Sequence, residues 1–234
     1  MQRSDFAEQV TVVVGPEREC FIVHKHLICR SSAFFKAATS LEWQNNNKKS
    51  IELPDDDPKI FGAYLLSLYT TTITPQAKEA ADLWDELAML YVLADKLRDL
   101  KTANLILEQI MTISDQHKRI AGNKTITKIY ANTTDGSPLR RLVVDYQLHE
   151  PTVMPPSSAL HDLPKHYLQD FLTAYLRVKT GAELMTSVKD LGHQQLTKVM
   201  PKCRYHQHDE THPVEGNCTV KAGENAKWGG SAGN

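Results

Sequence analysis

The chain has 234 residues, enough for one large domain or for a domain with an extension. Hydrophobic residues make up 41% and charged residues 24%, the balance of a soluble globular protein. The net charge of −1 gives no global field for nucleic acid or an anionic membrane, and the longest apolar runs, VTVVV and LLSLY, are far too short to span a bilayer.

The first ten residues, MQRSDFAEQV, carry two acids and no apolar core, so they do not read as a secretory signal. An intracellular protein of cytoplasm or nucleus is expected. Cys20, Cys29, Cys203 and Cys218 are then expected as thiols or metal ligands rather than disulfides. The sequon Asn123-Lys124-Thr125 loses its meaning in that setting.

Residues 10–23, VTVVVGPERECFIV, place two β-branched, apolar runs around Gly15-Pro16 and predict a hairpin. The stretch SIEL, 50–53, predicts a third strand. A helix follows. Asp57 suits its cap and Pro58 its first position, with Ile60, Phe61, Tyr64, Leu65 and Leu68 on one apolar face. TTTITPQ ends it. The next helix spans roughly residues 77–95, with Leu83, Leu87, Leu90 and Ala94 in one stripe and Ala80, Trp84 and Tyr91 beside it. Ala103, Ile106, Leu107, Ile110 and Met111 mark another helix. Up to about residue 113 the order is that of a small sheet with helices packed on it, an α+β fold.

Residues 114–200 predict a helical extension. In SPLRRLVVDYQL, Ser137 is the expected cap and Pro138 the first residue, with Leu139, Leu142, Val143 and Tyr146 on one face. DLPKHYLQDFLTAYLRVKTG repeats the device: Pro164 near the start, Leu168, Phe171, Leu172 and Tyr175 as the core stripe, Gly181 as the stop. HEPTVMPPSSALHD between them reads as a proline-rich linker. Residues 201–234 read as a polar, largely disordered tail ending in GENAKWGGSAGN. No internal repeat is present.

Four stretches invite a chemical reading. In VHKHLICRSSAFF, residues 23–35, Cys29 or Ser32 could be a nucleophile and His24 or His26 its base. Such a pair also needs an orienting third group and an oxyanion site, and the sequence supplies neither. The favoured reading is structural. His24 ends a strand and bonds nearby backbone, and His26 begins a helix. Ser31 or Ser32 caps the next helix, which carries Phe34 and Phe35 into the core. GGSAG, 229–233, matches a nucleophile elbow only formally, because that turn needs a strand before it and a helix after it. No catalytic, cofactor-binding or small-molecule substrate residue is assigned, and no enzyme is expected.

The third stretch, CRYHQHDETHPVEGNC, offers Cys203, His206, His208 and Cys218 as a candidate structural zinc set, with His212 to spare. Its second half lacks the paired spacing of a standard finger, and a histidine-rich solvated tail is the plainer reading. The fourth is the acidic run Asp55-Asp56-Asp57. It could attract a divalent cation, but the positive end of a helix dipole explains it more cheaply. NNNKK, 45–49, reads as a surface loop.

Three ordered phrases resemble a known family. FIVHK at 21–25 with Ile28, Ser32, Phe34 and Phe35 is similar to the first phrase of BTB/POZ domains. IELPDDDP at 51–58 with Phe61, Leu65, Tyr69 and Thr70 resembles the second, and LYVLADKL at 90–97 with Asn104 the third. The resemblance covers residues 1–113; the helical extension over 114–200 is similar to that of BTB proteins of filamentous fungi. It implies a non-enzymatic scaffold that self-associates or recruits protein partners. A substrate adaptor for a cullin-type ubiquitin ligase is the alternative. Two departures bear on this. Only about nine residues precede the first strand, too few for the extension of strand-swapped dimers. The stretch KAATSLEWQNNNKK lacks the apolar-x-acid motif of cullin adaptors, since Ser40 stands two residues before Glu42. Trp43, in otherwise polar surroundings, is the expected partner contact. No nucleic acid is expected, since no basic run exceeds two residues.

Overall fold

The computed structural model describes residues 8–45, 50–77, 79–117, 119–149, 157–179 and 205–207. The chain divides into two compact units. The first comprises residues 1–76 and 89–106, the second residues 77–88 and 107–234.

The first unit is built on a three-stranded sheet in the order β2-β1-β3. Strands β1 (Gln9–Val14) and β2 (Glu19–His24) form the predicted antiparallel hairpin, with Val12 opposite Phe21. Strand β3 (Ser50–Leu53) pairs parallel to β1, with Val12 beside Ile51. The hairpin turn needs its glycine twice over. Gly15 has φ +75°, and a β-carbon there would lie 3.0 Å from Pro58 Cγ and 3.2 Å from the Asp56 carbonyl. The valines of β1, Val10, Val12, Val13 and Val14, are all buried.

Helices α1 (Lys25–Ser31), α2 (Ala33–Asn45) and α3 (Pro58–Thr70) belong to this unit. Asp57 Oδ1 accepts the Lys59 N–H at 2.8 Å with Pro58 at the first position, as the sequence predicts. Phe61 and Tyr64 of α3 are fully buried. The Phe61 ring meets Phe21 edge-on at 5.0 Å and lies 6.4 Å from Phe35. Helices α4 (Ala80–Lys96) and α5 (Leu100–His117) follow, and the division between the units falls within both.

A left-handed residue, Arg98 (φ 55°), separates α4 from α5, and the Asp99 N–H reaches back to the Ala94 carbonyl at 2.9 Å. The carbonyls exposed by this turn are put to use. Leu97 and Arg98 accept from the Phe34 and Ala33 N–H groups, the free donors of the first turn of α2.

In the second unit, helix α6 (Asn123–Asn132) leads through a turn at Gly136 to α7 (Pro138–His149). Every residue of α7 from Pro138 to Leu148 is buried, so this helix has no solvent face. The one-sided stripe expected from Leu139, Leu142, Val143 and Tyr146 is therefore only part of its packing. Its polar members need partners. Arg140 is clasped by Thr133 Oγ1 at 2.9 Å, the Tyr130 carbonyl at 3.0 Å, Asp135 Oδ1 at 2.6 Å and the Thr133 carbonyl, and its guanidinium lies 4.4 Å above the Tyr130 ring. Asp145 accepts from Tyr205 at 2.8 Å. Trp84, also buried, donates to Ser114 Oγ and the Arg119 carbonyl and meets Tyr146 edge-on.

Ser137 stands at the expected cap position of α7, but its buried hydroxyl has no hydrogen-bond partner among the described residues. The cap chemistry read from the sequence is thus absent. Within the expected linker, Ser157–Asp162 forms a 3-10 helix, and residues 150–156 lie outside the described residues.

Helix α8 (Lys165–Lys179) corrects a further expectation. Its buried residues are Tyr167 and Ala174; of the predicted Leu168, Phe171, Leu172 and Tyr175, the first two are half-buried and the last two exposed. Leu172 is 56% exposed and Tyr175 44%. The helix sits with Tyr167 against Tyr130, 5.5 Å between rings, while the Tyr130 hydroxyl bonds Asp170 at 2.8 Å. That polar bond and the aromatic pair fix the rotation of α8, and the leucine-rich face turns outward.

Candidate interaction surfaces

The stretch that could have been a reactive site is taken apart by the fold. Ser32 Oγ accepts the Phe35 N–H at 3.1 Å, which makes it the cap of α2, and donates to the Leu97 carbonyl at 2.5 Å. Cys29 Sγ lies 3.3 Å from Thr39 Oγ1 and 3.7 Å from the Phe35 carbonyl. Neither candidate nucleophile is paired with a histidine. His24 Nδ1 lies 2.8 Å from the Tyr69 hydroxyl, a side-chain partner on α3 rather than the backbone expected. His26 is exposed. Phe35 is fully buried and Phe34 half-buried. The residues join a strand end, two helices and an inter-helix turn.

A second polar node was not read from the sequence. Asp99, fully buried, accepts from the Tyr64 hydroxyl at 3.0 Å, the Thr102 N–H at 3.0 Å and Thr102 Oγ1 at 2.8 Å. It caps α5 and ties it to α3. Burial, helped by the Asp99 charge, pushes the Tyr64 phenol far above its ordinary range. The signal was present as Asp99-x-x-Thr102 ahead of an apolar run.

Two of the three acids of the run are likewise spent on structure. Asp57 caps α3, and Asp56 Oδ2 pairs with Lys96 at 2.7 Å. Of the four candidate zinc ligands, only His206 is among the described residues. Its Nε2 lies 3.2 Å from Glu108 Oε1. Cys203, His208 and Cys218, like GGSAG at 229–233 and the side chain of Trp43, lie outside them. Among the described residues no group of three or more His, Cys, Asp and Glu side chains could hold a metal ion. Within the tail read as unanchored, Tyr205 is fully buried.

Several large apolar side chains also remain at the surface. In the first unit, Ile22 on β2 is 69% exposed, Tyr69 on α3 51% and Leu66 on α3 41%. Among the described residues β2 is an edge strand of the sheet. In the second unit the exposed set is Leu172, Tyr175 and Leu176 of α8. Among the described residues no helix is long and apolar enough to cross a membrane.

The first unit is thus a small mixed sheet with helices packed on it, an α+β architecture. The family model of the BTB/POZ domain matches residues 2–105, and that part of the chain is a BTB/POZ domain. BTB/POZ domains are protein-protein interaction modules that mediate partner binding and self-association, not an enzyme family. No curated protein matches the chain.

Proposed function

We propose that this protein is a non-enzymatic scaffold whose BTB/POZ domain self-associates or recruits a protein partner through exposed apolar side chains such as Ile22 of β2 and Leu66 of α3. The observation that carries this reading is a matched interaction domain whose own sheet and third helix leave large apolar side chains in water. An isoleucine 69% exposed on an edge strand buries little of its side chain in folding, so most of its burial is available to a partner.

Sedimentation of the full chain over a wide concentration range tests it. Ile22→Asp together with Leu66→Asp is expected to weaken association at least ~10-fold, the loss of about 1.4 kcal/mol of binding, with the melting temperature nearly unchanged. Association that survives both changes overturns the reading. The finer alternative, an adaptor for a cullin-type ubiquitin ligase, is tested by pull-down with a purified cullin scaffold. Absence of capture at micromolar concentration removes it. An intracellular setting and the domain boundaries at 113 and 200 belong to the same proposal. The zinc set of Cys203, His206, His208 and Cys218 belongs to it too, with metal analysis of the purified protein as its test.

A further inference from the structure

The outward face of α8 is organised along its length. Successive residues of a helix turn by 100°, so Lys165, Gln169, Leu172, Leu176 and Lys179 share one face, with Tyr175 and the half-buried Leu168 at its flank. All but Leu168 are exposed. The apolar residues lie in the middle and a lysine stands at each end, about 21 Å apart at 1.5 Å per residue. Lys179 Nζ lies 5.8 Å above the Tyr175 ring. The only acid of α8, Asp170, is half-buried and accepts from the Tyr130 hydroxyl, so the outward face carries positive charge and no negative charge. At the Lys165 end an open cleft of about 360 Å³ adjoins the helix, lined by Tyr130, Ala131, Leu163, Pro164, Lys165 and His166, with Asp162 as its one carboxylate.

An apolar centre inside a polar rim is how protein interfaces are built, and a shallow apolar strip on a helix is read by an amphipathic helix. The ends set the charge of the partner. We infer that the outward face of α8 docks an amphipathic helical segment of another protein, one with leucine-type residues at its centre and acidic residues near both ends. An apolar side chain of that segment would enter the cleft beside Lys165. This surface lies outside residues 2–105 and does not depend on the reading of the BTB/POZ domain.

The test uses the full chain and two fluorescent synthetic helical peptides. Both carry leucines at positions i, i+3, i+4 and i+7. One has glutamates near its two ends, fourteen positions apart, and the other lysines there. In anisotropy titrations the glutamate peptide is expected to bind at least ~10-fold more tightly. Leu172→Asp should abolish binding with the melting temperature unchanged. Should that variant unfold, Lys165→Glu with Lys179→Glu decides instead, because it should reverse the preference between the peptides. Equal binding of the two peptides, no binding at millimolar concentration, or indifference to the charge reversal overturns the inference. Self-association that is lost in Leu172→Asp assigns the face to a second copy of the chain. Binding to phosphatidylserine vesicles that is lost in the same variant assigns it to a lipid surface. Either result also overturns it.

Discussion

The two units handle burial in opposite ways. In the first, the polar nodes that fix the turns stand at helix ends: Ser32 beneath Leu97 and Asp99 at α5 are buried, and the exposed Asp57 caps α3. Each node fixes a turn, and the apolar faces between the turns are left to plain alternation and helical period. In the second, a whole helix is buried, and polar groups lie along its length: Arg140, Asp145 and Gln147, with the phenols of Tyr130, Tyr146 and Tyr205 around them. There the rotation of each helix is decided by hydrogen bonds as much as by apolar area. Sequence periodicity registers the first strategy and is nearly blind to the second.

The contrast is sharpest in alkali. Burial pushes the phenols of Tyr130, Tyr146 and Tyr167 in the second unit far above the usual range, with the nearby carboxylates of Asp170 and Asp115 adding to the first two; in the first unit burial does the same to Tyr64. In the unfolded chain phenols lose their protons near pH 10. The folded state holds them protonated, so the stability they support is complete below about pH 10 and falls above it. The slope approaches about 1.4 kcal/mol per pH unit for each phenol. Between pH 10 and 12, hydrogen exchange should speed up in α6, α7 and α8 before it does in α3. The absorbance of these phenolates should rise together with unfolding rather than at pH 10. Early protection loss in α3 would break the comparison.

A substitution of nearly that size lies in the first unit. Asp99→Ala removes the cap of α5 and leaves the buried Tyr64 hydroxyl without its acceptor. Loss of a cap costs about 1 kcal/mol and an orphaned buried donor about 2 more. A urea denaturation curve should show a loss of about 3 kcal/mol, with part regained in Asp99→Asn, which keeps an acceptor oxygen.

The BTB/POZ part was legible because its elements are local. The β-branched run VTVVV, the Asp57-Pro58 start and the Leu83 to Ala94 stripe each lie within one element, and the structure places each where expected. The order of three phrases then gave the family. Ile22, Leu66 and Tyr69 were not singled out as surface, because an exposed apolar residue and a core one look alike until the neighbours are known. Helix α8 shows the same limit more severely. The sequence points to Leu168, Phe171, Leu172 and Tyr175 as its core stripe, whereas the buried residues are Tyr167 and Ala174, with Leu168 and Phe171 half-buried. The choice fell to Tyr130, forty residues away, through its ring contact with Tyr167 and its bond to Asp170.

The smallest effect concerns two serines that look alike in sequence. Ser32 and Ser137 each stand just ahead of a helix. Ser32 accepts from the Phe35 N–H and donates to the Leu97 carbonyl, so Ser32→Ala should cost about 1–2 kcal/mol. The Ser137 hydroxyl is buried without a partner among the described residues. Its desolvation is already unfavourable, and alanine removes it without breaking a bond. Ser137→Ala should therefore leave stability unchanged or raise it by up to about 1 kcal/mol. Thermal melts of the two variants beside the parent chain decide the matter. A loss at Ser137 equal to that at Ser32 would mean that its hydroxyl is bonded after all, and that α7 is capped in the same way as α2.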